Sequence, residues 1–125
     1  MEIIKTTKAP EAIGPYSQAI KQGGFIFLSG QIGLDPLTGE LKGHTLEEQA
    51  HQVFKNIISV LEASGSTLND VVKTTLYLKN MDDFPSVNKM YAEYFSEHKP
   101  ARATIEVARL PKEALIEIDC VAKIS

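Results

Sequence analysis

At 125 residues the chain fits one domain, leaves little room for a second, and can bury a core without a disulfide or metal staple. With 43% hydrophobic and 23% charged residues it is too apolar to stay disordered. Its 13 basic and 16 acidic residues give a net charge of -3, which argues against a phosphate-binding protein built on a basic stripe.

Cys120 is the single cysteine, so no internal disulfide can form and a reducing compartment is expected. The first residues, MEIIKTTKAPEA, have an acidic second position and no apolar core of a signal peptide. The apolar runs are far shorter than a membrane span, so the expected location is the cytoplasm.

In chain order, the first element is a buried strand over 25–28, an apolar run between Gly23-Gly24 and Gly30. Asp35-Pro36-Leu37-Thr38-Gly39 is turn chemistry. Thr45 and Glu48 then form a capping box that satisfies orphan backbone donors and opens a helix. Its apolar stripe is Leu46, Ala50, Val53, Phe54, Ile57, Ile58 and Leu61, and Gly65 supplies the stop. Residues 71–78 are β-branched and aromatic, as a strand requires. A second helix fits Asp82 or Asp83 to about Glu97, with Pro85 in its first turn and a stripe from Phe84 to Phe95.

Two strands follow. Over 102–107, Arg102, Thr104 and Glu106 alternate with Ala103, Ile105 and Val107. Over 115–124, Ile116, Ile118, Cys120, Ala122 and Ile124 share one face, with Glu117, Asp119 and Lys123 on the other. The order predicts an α+β or split βαβ fold, a small sheet with two helices on one face. Two amphipathic helices cover only one side of such a sheet. The other side faces water unless another subunit covers it, so an oligomer is expected.

Several motifs dissolve into ordinary structure. His44, His51 and His98 lack metal-site spacing, and His51 lacks the partner of HExxH. No phosphate-cradling glycine motif occurs, and no cofactor is implied. Gly30-Gln31-Ile32-Gly33 matches the GxxG of RNA-binding KH loops but has a strand before it and no basic helix around it. Ser29 lacks the upstream glycine of a nucleophile elbow. Cys120 has the apolar parity of its strand and reads as core, and Tyr91 and Tyr94 read as helix packing or interface. Tyr16 lies in the irregular segment Ile13-Gly14-Pro15-Tyr16-Ser17, where an aromatic either lines a site or lids the core.

Arg102 opens an otherwise apolar strand after Pro100 and must find a carboxylate or water. Glu117 is an acid inside the run Ala114-Leu115-Ile116-Glu117-Ile118. The two residues are functional candidates. Alternatively they occupy the solvated faces of their strands or pair with each other.

The segments IGPYSQA (13–19), FLSGQIG (27–33), VNKMY (87–91), KPARATIEVARLP (99–111) and IEI (116–118) resemble the signatures of the Rid (reactive intermediate deaminase, YjgF) family, in the same order and nearly end to end. The resemblance is nearest to the RidA subgroup. It implies a chorismate-mutase-like α+β fold assembling as a homotrimer with sites between subunits. It implies a hydrolase that converts 2-iminopropanoate and 2-iminobutanoate to 2-oxo acids and ammonia. Those substrates would come from pyridoxal-phosphate-dependent dehydratases. By the same resemblance Arg102 binds the substrate carboxylate, Glu117 positions or activates water, and Tyr16, Ser29, Gly30 and Asn88 line the pocket. Thr104 stands where many RidA proteins carry cysteine, which keeps size and a polar tip but removes thiol chemistry. The alternatives are a trimeric regulatory protein that binds small carboxylates, and a ribonuclease or translation inhibitor. The net charge counts against the latter.

Overall fold

The computed structural model describes all 125 residues, Met1–Ser125. Its elements are β1 (Glu2–Ile4), β2 (Ala19–Gln22), β3 (Phe25–Ile32), α1 (Leu46–Ala63), β4 (Val71–Leu78), α2 (Phe84–Tyr94), β5 (Ala101–Glu106) and β6 (Ile116–Lys123). The strands form one sheet in the order β1-β2-β3-β6-β4-β5, antiparallel except where β5 lies parallel to β4 after the α2 crossover. The fold is α+β with both helices on one face of the sheet, as the pattern predicted.

Two strands were not predicted. β1 and β2 have three and four residues, too short for their alternation to stand out. The clue was Gly23-Gly24, read above as a strand boundary. Both take left-handed backbone (φ 61 and 86), as a two-residue type I′ hairpin demands, and they join β2 to β3. β3 also runs past residue 28 to Ile32, because its pairing with β6 skips between Leu28 and Gln31 at a bulge. That bulge contains Ser29 and Gly30.

The capping box at Thr45 and Glu48 is present. α1 buries Val53, Phe54, Ile57 and Leu61 as expected, and also Asn56. The Asn56 amide donates to the carbonyls of Ile32 (3.2 Å) and Leu34 (3.0 Å), tying the end of β3 to the helix. This satisfies backbone groups that would otherwise be buried without partners. α2 is shorter than predicted. Phe95 leaves the helix at φ -114, ψ 68 and turns into the core, so the helix stops at Tyr94 rather than near Glu97.

The core lies between the helices and one sheet face, where Ile116, Ile118, Cys120 and Ala122 of β6 meet Leu76 and Leu78 of β4 and the helical stripes. Ile124 departs from the expected parity, lying beyond β6 and partly exposed. On the other face, Ile3, Ile20, Phe27 and Val121 are register partners in one row across four strands, and Ile3 and Phe27 are exposed. No helix is long and apolar enough to cross a membrane.

Candidate functional site

β5 is an edge strand, and its alternation decides where its polar side chains go. Arg102 pairs with Thr74 of β4, whose side chain is buried under α2 and shares a hydrogen bond with Tyr91 (2.8 Å). Arg102 therefore lies on the helix side. Its guanidinium carbon sits 4.8 Å from the Tyr91 ring centroid and 5.3 Å from that of Phe84. Its Nη1 donates to Asn88 Oδ1 at 2.8 Å. The aromatic faces favour the cation while Asn88 fixes its plane. Arg102 remains exposed, so the rest of its planar fork is free to take a carboxylate. Two residues on, Thr104 has the same parity, and its buried Oγ1 has no hydrogen-bond partner.

Phe84, Asn88 and Tyr91 come from one face of α2 at i, i+4 and i+7. The sequence reading picked out Asn88 but assigned Tyr91 to packing and Phe84 to the stripe. That helical spacing around Asn88 was the available signal.

Glu117 belongs to a different group. It alternates with Ile116 and Ile118, which are fully buried beneath the helices, so its carboxylate points to the open face of the sheet. There it lines a cavity of about 320 Å³ with Tyr16, Gly30, Glu11 and Lys112. A β-carbon at Gly30 would lie 2.9 Å from Glu117 Cδ, so a larger residue there would push the carboxyl group aside. The bulge thus lets bare backbone pass against the carboxyl group. Ser29 donates its hydroxyl to the Ser17 carbonyl, which ties the Tyr16 segment to β3. Partial burial, and secondarily the charge of Asp119, push the Glu117 carboxyl above the usual carboxylate range.

The candidate residues therefore form two clusters, Asn88, Arg102 and Thr104 on one face and Tyr16, Gly30 and Glu117 on the other, with Ser29 beside the second. They do not meet within one chain. Pairing between Arg102 and Glu117, one of the alternatives raised above, is excluded by the sheet between them. Cys120 is buried, and burial with the Asp119 charge pushes its thiol up to about 12, which removes it as a nucleophile. His51 bonds the Tyr94 hydroxyl (2.8 Å) and His98 faces the Val71 carbonyl, each in a local contact.

The family model described as Endoribonuclease L-PSP matches residues 6–124. A RutC family protein of Pyrococcus horikoshii is 56% identical over 97% of this chain and 96% of its own length. Mouse 2-iminobutanoate/2-iminopropanoate deaminase is 48% identical over 97% of this chain and 90% of its own. Among solved structures, RidA from an Antarctic Psychrobacter superposes with a TM-score of 0.96 at 45% identity, covering 99% of this chain and all of the other. The Escherichia coli protein TdcF, solved with bound serine, gives 0.94 at 38% identity and full coverage of both chains.

Proposed function

The chain belongs to the Rid (YjgF) family, and on that premise we propose that it is a cofactor-independent deaminase of short 2-imino and 2-enamino acids, with sites shared between subunits of a homotrimer. The observation that carries the reading is the pair of half-sites: an exposed arginine oriented by Asn88 on one face and a partly buried glutamate on the other. Neither is used up by the fold. A second copy whose Arg102 edge meets the open face of the first would complete the pocket and cover the exposed row from Ile3 to Val121.

In such a pocket Arg102 holds the substrate carboxylate by two parallel N–H bonds and fixes C2. Tyr16 and the Gly30 backbone wall the opposite side. An enamine first tautomerises to the imine, which is electrophilic once protonated. Glu117, whose carboxyl is raised by partial burial, is the group placed to take a proton from water. Water oxygen adds to C2 as Glu117 takes one of its protons. Glu117 returns that proton to nitrogen, and the C–N bond breaks as the C2 hydroxyl gives up its proton, through Glu117, to the departing ammonia and becomes the carbonyl. One protonated 2-iminopropanoate and one water give pyruvate and ammonium. The substrate source is a pyridoxal-phosphate-dependent dehydratase acting on serine or threonine, and the setting is the cytoplasm.

A second reading, a carboxylate-binding trimer without turnover, draws on the relative solved with serine. The desolvated Glu117 weighs against it, since holding a carboxylate calls for Arg102 alone. A ribonuclease would need a basic, aromatic-lined surface, and the net charge is -3. The test times 2-oxo acid release from threonine by threonine dehydratase with and without this protein. Faster release is expected, and an unchanged rate would remove the deaminase reading.

A further inference from the structure

The open face of the sheet carries a polar cluster that the mechanism above does not use. Tyr77 of β4 is the direct register partner of Glu117, and Thr75 is that of Asp119. Glu117 and Asp119 stand two residues apart on β6 and so share the open face, about 7 Å apart along the strand. The Tyr77 hydroxyl crosses to Asp119 and donates to its Oδ2 at 2.8 Å. All three side chains are partly buried.

We infer that Tyr77 and Asp119 are positioning residues for Glu117: the tyrosine anchors a second negative charge beside the glutamate, and that fixed charge controls when Glu117 holds a proton. The inference rests on the reading of Glu117 as the group that activates water. A like charge on the same face disfavours ionisation of its neighbour, and a fixed one does so more than a mobile one. The directions agree. Asp119 adds to burial in raising Glu117, while the Asp119 hydrogen bond, burial and both carboxylates raise Tyr77. Tyr77 thus remains a donor across the working range.

The other charged groups around Glu117 do not replace this pair. Glu11 and Lys112 line the cavity from the N-terminal segment and from the turn before β6, with opposite charges and both exposed. Tyr16 lines it with its aromatic ring. Lys79, two residues beyond Tyr77 on the β4 side, gives its ammonium to the Ala108 carbonyl at 2.7 Å. From β3 the contact is bare backbone at Gly30.

Two readouts on the assembled protein test the inference. The Glu117 carboxyl carbon is followed by NMR titration, assigned with Glu117→Gln, and kcat/KM is measured against pH. In Asp119→Asn the Glu117 midpoint and the acid limb of the rate profile should both move to lower pH. In Asp119→Glu, which keeps the charge, both should stay near the parent. In Tyr77→Phe, which frees Asp119 to swing into solvent, both should move part of the way. A Glu117 midpoint unchanged in Asp119→Asn overturns the inference. So does a loss of rate in that variant that is uniform across pH. If the midpoint moves but the parent shows no deaminase activity, the inference stands and the deaminase reading falls.

Discussion

Arg102 and Glu117 occupy opposite faces of a single sheet. Arg102 sits in the row of Thr74 and Cys120, and Glu117 in the row of Tyr77 and Ile105, with β4 between their strands. At about 4.8 Å per strand this is roughly 10 Å of lateral separation before the thickness of the sheet is added. A three-carbon acid cannot span it. The same chain can still supply both groups if each pocket takes its arginine from one copy and its glutamate from another.

Arg102→Ala removes a charge-assisted contact that is oriented by Asn88 and backed by Tyr91. Truncating such a partner costs about 2–5 kcal/mol, which is roughly 30- to several-thousand-fold in kcat/KM. Lysine should restore only part of this, since a point charge cannot reproduce the planar fork. Steady-state deamination of 2-iminopropanoate gives the ratio.

Glu117→Gln keeps shape and hydrogen bonding but removes the base. It should lower kcat while leaving affinity for an unreactive 2-oxo acid largely intact, measured by calorimetry. Turnover equal to the parent would make the glutamate structural and move the binding-protein reading ahead.

Thr104 carries a buried hydroxyl with no partner. Leaving such a group unsatisfied costs about 1–3 kcal/mol, so Thr104→Val should hold or raise the denaturation midpoint. Thr104→Cys should keep turnover within a few-fold. A loss of about a hundred-fold would give the hydroxyl a chemical role and leave the assignment of water handling to Glu117 incomplete.

Asp70 staples the C-terminus. Its carboxylate accepts from the Ser125 hydroxyl and the Thr67 amide (3.0 Å) and pairs with Lys123 at 3.1 Å. These contacts, with Ser125 the largest, lower its pKa from 3.8 to about 2. A depressed folded-state value means the stabilisation is complete above the unfolded value and is lost as pH falls from about 4 to about 2. The contribution is about 1–2 kcal/mol, given the exposure of Lys123. Asp70→Asn should therefore be less stable than the parent at pH 7, with the difference closing over that acid window in urea melts.

Much of this was legible in the sequence because it rested on local chemistry. Thr45 and Glu48 announced α1, and the alternation around Glu117 assigned Ile116 and Ile118 to the core. The strand order was not legible, since nothing local puts β6 between β3 and β4. The division of the site therefore stayed hidden: the faces of β6 could be read, but the alternation in β5 did not say which side of the sheet Arg102 takes, and Ile105 on the opposite parity is exposed. Asp119 was placed on the same side as Glu117, yet its tie to Tyr77 spans 42 residues of sequence and appears only in the folded sheet.

Subunit mixing tests the shared site most directly. Arg102→Ala and Glu117→Gln are each made nearly inactive, then dissociated together at equal amounts and allowed to reassemble, with exchange verified by native mass spectrometry. If each pocket draws its arginine and glutamate from different copies, random mixing rebuilds about one pocket in four with both groups intact. Deaminase activity should return to about a quarter of the parent rate. Activity no greater than the sum of the two variants, in trimers shown to be mixed, would contradict the account.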